Sequence, residues 1–219
     1  MDFFNLPNQS KVARVIPKNA FDEYTSTKQK RLLTDLVLRI TWTHKLSRET
    51  INLEAKEILE IQVFKVELKQ KADISKILDI IDKAIPYHIV FWIEFKQQAY
   101  LSSALKHSHP NSDDISVIDW RFNCHWFNID TNTYVFNLNK SIDAVFKNMC
   151  VQLTGKPLFD QKPFSLILKN EKEINRLENE IDRLKKSLRQ AKQFNKKVEL
   201  NIELQSKLEL LKQVESRTF

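Results

Sequence analysis

Apolar residues recur along this chain with two periods, and the change from one to the other divides it. Residues 1–24 read as an extended arm broken by Pro7 and Pro17. In TSTKQKRLLTDLVLRI, Leu32, Leu33, Leu36 and Ile40 fall on one helical face, with Ser26 or Thr27 as the cap. RITWTHKL (39–46) follows as a β-rich run. In EILEIQVFKVELK (57–69), Ile58, Phe64, Val66 and Leu68 share one face of a strand, with Gln62 among them, and Leu59, Ile61 and Val63 share the other. Apolar residues on both faces predict an interior strand whose second face turns polar at Lys65, Glu67 and Lys69.

The spacing of Ile74, Ile77, Leu78, Ile81 and Ile85 predicts a helix over 73–85, capped by Asp73 and stopped by Pro86. HIVFWIEF (88–95) is a nearly continuous apolar strand, and 98–106 reads as its hairpin partner or an edge. Composition predicts a loop at 107–114 and strands at 115–127 and 133–138. Residues 141–155 read as a helix capped by Ser141, lined by Ile142, Val145, Phe146, Met149 and Leu153, and closed by Gly155.

The expected fold is therefore an α/β or α+β core with a mixed sheet flanked by helices, covering 25–155 after the 1–24 arm. A linker with two prolines follows at 156–169, and the pattern then changes. Residues 170–216 lack Gly and Pro, and Ile174, Leu177, Ile181, Leu184 and Leu188 make an a/d heptad seam. The seam falters at Asn195, picks up again at Val198 and Ile202, and continues on a shifted register at Leu208 and Leu211. A C-terminal coiled coil with a stutter and a helical hairpin turning near KQFNKK both fit 170–219. A single helix would leave its seam for a partner, which makes these five residues the candidate partner-binding set.

Composition narrows the chemistry. The one glycine, Gly155, excludes Gly-rich phosphate loops, which need several. The formal net charge of +7 favours nucleic acid, an anionic surface or an acidic partner. Two distant cysteines fit a reducing compartment. The N-terminal segment has an early acid and no long apolar core, and no run reaches membrane-span length, so a soluble cytoplasmic protein with no membrane contact is expected.

Glu67 and Lys69 are the candidate catalytic residues. An acid-x-lysine strand end, followed by a helix and an apolar strand, matches half of a Mg²⁺-dependent nuclease site of the PD-(D/E)xK type, where acids hold the metal and lysine serves the attacking water. The upstream acids available to complete it are Glu54, Glu57 and Glu60. The same tripeptide also suits a solvated strand end. No cofactor is expected unless that nuclease reading holds, when Mg²⁺ would be required.

Lys185, Lys186, Arg189, Lys192, Lys196 and Lys197 form a basic run that suits either a phosphate backbone or a solvated helix. His107, His109, Cys124 and His125 lack metal-ligand spacing, so no metal site is assigned. Of the four tryptophans, Trp42, Trp92, Trp120 and Trp126, only those in DWRFNCHW are interleaved with polar residues as a base-stacking surface would be.

Four segments, ITWTHKLSRETINL, EIQVFKVELKQK, IDKAIPYHIVF and KQFNKKVELNIEL, resemble in order an uncharacterised bacterial family, domain of unknown function 4391. That resemblance implies an accessory role beside helicases and DNA methyltransferases of restriction-type defence loci, without a catalytic motif to transfer. Three readings follow from the sequence: a non-enzymatic subunit docking through its coiled coil, a divergent Mg²⁺-dependent nuclease, and a self-associating coiled-coil protein.

Overall fold

The computed structural model describes residues 3–109, 112–155 and 163–216. The chain divides into two compact units, Met1–Gly155 and Lys156–Phe219. The linker residues 156–162, the loop residues 110–111 and the last three residues of the expected tail lie outside the described residues.

The first unit is built on a seven-stranded mixed sheet. Its main path runs β1 (Lys11–Ile16), β2 (Val37–Ser47), β3 (Glu60–Leu68), β4 (His88–Phe95), β5 (Gln98–His109) and β6 (Ser112–Asn123), with β7 (Phe127–Asn128) paired to β5. Neighbours are antiparallel except β3 and β4, which run parallel across helix α3 (Ser75–Ala84). That crossover is what parallel pairing requires. β3 and β4 lie at the sheet's centre, as their apolar residues on both faces demand.

Local chemistry sets the helices. Helix α1 (Thr27–Leu36) starts at a capping box in which the Ser26 hydroxyl accepts from the Gln29 N–H and the Gln29 side chain accepts from the Ser26 N–H. It runs straight into β2, so Val37–Ile40 belong to the strand rather than to the helix. Helix α3 starts at Ser75 with Ile74, not Asp73, at the N-cap, and the Asp73 carboxylate, one residue earlier, accepts from the Ser75 N–H at 2.9 Å. A single turn, α2 (Arg48–Ile51), ends on Asn52 in the left-handed region. Helix α4 (Ile142–Thr154) is capped by Ser141 and closed by Gly155 at φ +68°.

The core lies against one sheet face, where Phe64, Val66 and Leu68 of β3 and Phe91 and Ile93 of β4 meet Leu33 of α1 and Ile77, Leu78 and Ile81 of α3. On the other face α4 brings Phe146 onto the His88 ring at 4.5 Å. Near the opposite end of β4, Phe3 stacks on Trp92 at 4.1 Å.

Three elements differ from the sequence reading. The arm is part of the fold, since β1 forms a sheet edge and Phe21 is buried in the core. Residues 107–109 and 112–114, expected in a loop, belong to strands β5 and β6, because backbone pairing tolerates polar residues such as Ser, His and Asp. Residues 133–138 make no strand; they lie beside α4, where the Gln152 side chain takes both backbone groups of Val135.

The second unit is a helical hairpin of α5 (Phe164–Gln190) and α6 (Phe194–Ser216), turning where KQFNKK stands. Its register is marked by Lys207 and Glu180 at 2.6 Å. No helix among the described residues is long and apolar enough to cross a membrane.

Candidate functional site

Glu67 lies one residue before the end of β3, on the face opposite the main core. The ladder sets Arg39 of β2 on one side of it and Glu94 of β4 on the other. Arg39 grips the Glu67 carboxylate with both Nε and Nη2, the latter at 2.9 Å. Lys65 follows on the same face, 3.0 Å from Glu94 and 3.9 Å from Glu67. The Trp92 indole N–H donates to Glu94 at 3.1 Å, and the Lys65 ammonium stands over the Phe3 ring. The Arg39 hydrogen bonds hold Glu67 below the usual carboxylate range, against the opposing effect of partial burial.

Lys69 is not part of this group. It follows the last strand residue, its N–H donates to the Leu36 carbonyl, and its ammonium donates to the Thr34 carbonyl at 2.8 Å. It thereby satisfies carbonyls left open at the end of α1. The three upstream glutamates are equally remote. Glu60 opens β3, seven residues from Glu67 and so roughly 23 Å along the strand. It is paired with Lys45 at 2.8 Å. Glu54 and Glu57 lie just before it, where the Glu54 carbonyl accepts from Ile142 and the Asp143 carboxylate accepts from the Glu57 N–H. The acid beside Glu67 is Glu94, whose position is legible only once β3 and β4 are known to run parallel in register.

Among the described residues, no group of three or more His, Cys, Asp or Glu could hold a metal ion. His107 pairs with Asp119 at 2.9 Å on the exposed hairpin, while the side chain of His109 lies outside the described residues. Cys124 and Cys150 are free, and burial pushes both thiols up. Cys124 accepts from the Leu101 N–H, with His125 exposed beside it. Trp92 is buried, and Trp42 donates its indole N–H to the His44 carbonyl. Trp120 is half-buried, and Trp126 packs on Tyr100 with Lys71 over its ring.

In the hairpin, Ile174 and Leu177 pack against Leu210, Leu211 and Val214. Ile181 is buried, and Leu184 and Leu188 are half-buried toward the tip. The seam is thus turned inward. Phe194, Val198 and Ile202, at i, i+4 and i+8, are 77%, 42% and 66% exposed and lie on the side of α6 away from it. The six cations of the basic run are exposed around the hairpin tip.

A family model described as a domain of unknown function (DUF4391) matches residues 4–211. The chain belongs to that family. No curated protein and no solved structure matches it. The DUF4391 match spans both units, so sheet and hairpin are parts of one family pattern.

Proposed function

We propose that this DUF4391 chain is a non-enzymatic accessory protein that docks through its hairpin onto a protein of a DNA-processing machine. The partner would be a helicase or methyltransferase of a restriction-type or phage-defence system. The observation that carries the reading is the exposed stripe of Phe194, Val198 and Ile202. A helix presenting anchors at i, i+4 and i+8 suits an apolar groove on a protein. The chemistry of the sheet agrees, since Glu67 is held by Arg39 and Lys65 and Lys69 is spent on a helix end.

The tagged full-length chain should recover such an enzyme from its host in stoichiometric amounts. The combined Phe194→Ser, Val198→Ser, Ile202→Ser variant should lower that recovery at least tenfold, and truncation after Ser165 should abolish it. Undiminished recovery by the triple variant refutes the docking surface. A stable homodimer in solution without other partners would favour the self-associating reading.

The cross-strand pair of Glu67 and Glu94 supports a second reading, the divergent Mg²⁺-dependent nuclease. These carboxylates would then hold Mg²⁺, with Lys65 between them. Cleavage that needs Mg²⁺ and is lost in both Glu67→Ala and Glu94→Ala would favour it. Cleavage that survives both removes it.

A further inference from the structure

The surplus of positive charge is not spread over the chain. Residues 183–198 contain Arg183 and the six cations named above, and no Asp or Glu. Taking these seven from the 35 Lys and Arg leaves 28, equal to the 28 Asp and Glu. The whole formal charge of +7 therefore resides in sixteen consecutive residues, and the rest of the molecule is balanced.

The hairpin concentrates this charge further. Helix α5 ends at Gln190 and α6 begins at Phe194, so the run folds back on itself at the turn. All seven cations are exposed. The stretch from Arg183 to the end of α5 rises about 12 Å. Asp182 and Glu199 flank the run in sequence and Glu180 acts on Arg183, while Glu199 meets Lys196 at 3.1 Å on the surface. Such an exposed pair is screened by solvent and does not cancel the field.

The ligand follows from density and shape. A duplex carries one phosphate per roughly 1.7 Å of axis, about seven over the same 12 Å. Two helices side by side are about 20 Å across, too wide for a major groove of about 12 Å. The tip therefore meets the sugar–phosphate backbone and reads no sequence. An anionic membrane is the weaker fit, because a surface-lying helix buries a broad apolar face along its length. Here the exposed apolar residues at the turn are Phe194, Val198 and, just beyond the run, Ile202, a narrow stripe on α6 alone.

We infer that the hairpin tip is a sequence-independent binding site for the phosphate backbone of duplex nucleic acid. The site does not rest on the docking reading, because it uses the cations of the turn and not the apolar stripe.

The test titrates full-length protein with a labelled duplex of arbitrary sequence between about 50 and 200 mM salt. Binding should weaken on a straight log–log line. The combined Lys185→Gln, Lys186→Gln, Lys196→Gln, Lys197→Gln variant should bind at least tenfold more weakly. Its salt slope should be smaller by about 3 to 4, near 0.9 per lost contact. Arginine at the same four positions should keep both affinity and slope, and circular dichroism should match wild type in both variants. No binding at the lowest salt, or equal binding by the glutamine variant, overturns the proposal. So does tighter binding to phosphatidylserine vesicles than to the duplex at equal salt.

Discussion

Asp82→Ala should destabilise the sheet unit by about 3–5 kcal/mol and lower its melting temperature by roughly 10 °C. The cause lies under the β5–β6 hairpin, where Asp82 and Lys106 are both fully buried at the side chain. The Lys106 ammonium donates to the Asp82 carboxylate at 3.1 Å, and to the carbonyls of Asp82 and Ile85 at 2.7 Å each. It thus satisfies open carbonyls at the end of α3. Arg121 donates to the other Asp82 oxygen at 2.6 Å and to Asp79 at 2.8 Å.

Burial pushes the Lys106 pKa down, and Asp82 is the group that opposes this. Removing Asp82 leaves a buried ammonium and a largely buried guanidinium facing each other. Replacing both members, as Asp82→Leu with Lys106→Met, should recover much of the loss, since the isolated charge is what costs most. Thermal and urea unfolding of the two variants decide the matter. A loss below about 1 kcal/mol for Asp82→Ala would show that the network contributes little.

This cluster marks where the sequence stops being readable. The order of helices and central strands follows from apolar periodicity, and β3 is the clearest case, with Phe64, Val66 and Leu68 facing the core as their alternation requires. The hairpin is likewise one of the two tail shapes that the broken heptad allows. Pairings across long separations leave no local trace. Asp82 and Lys106 stand 24 residues apart, and Arg39 and Glu67 stand 28 apart.

The acid-x-lysine tripeptide shows the same limit in the candidate site. Spacing of two places Glu67 and Lys69 on one face only while the strand continues, and β3 ends at Leu68. Lys69 is then free to reach the end of α1, and the neighbours of Glu67 come from β2 and β4 instead. The 107–114 stretch misleads for a different reason. Its polar composition is that of a loop, whereas the ladder that holds 107–109 against β6 is made by backbone groups, which any composition supplies.

Acid should weaken the fold well before the carboxylates titrate. His88 opens β4 under the Phe146 ring, and its Nε2 finds no hydrogen-bond partner among the described residues. Burial, helped by the nearby Lys106 charge and opposed by Asp143, lowers its pKa from 6.5 to about 4. The folded state therefore resists a proton that the unfolded chain accepts. Stability is complete above about pH 6.5 and falls as pH drops toward 4, by about 3 kcal/mol in all.

The carboxylate contribution behaves differently. Glu67 has its pKa lowered by Arg39, so its stabilisation is present above the ordinary glutamate value near 4.5 and is lost only at lower pH. The two windows are separable. Urea unfolding between pH 7 and pH 4 should show a clear slope in wild type and little slope in His88→Phe, whatever that variant does to stability at neutral pH. An unchanged slope in the variant would place the acid-sensitive group elsewhere. A lost slope would identify His88 as the residue whose protonation opens the junction between β4 and α4.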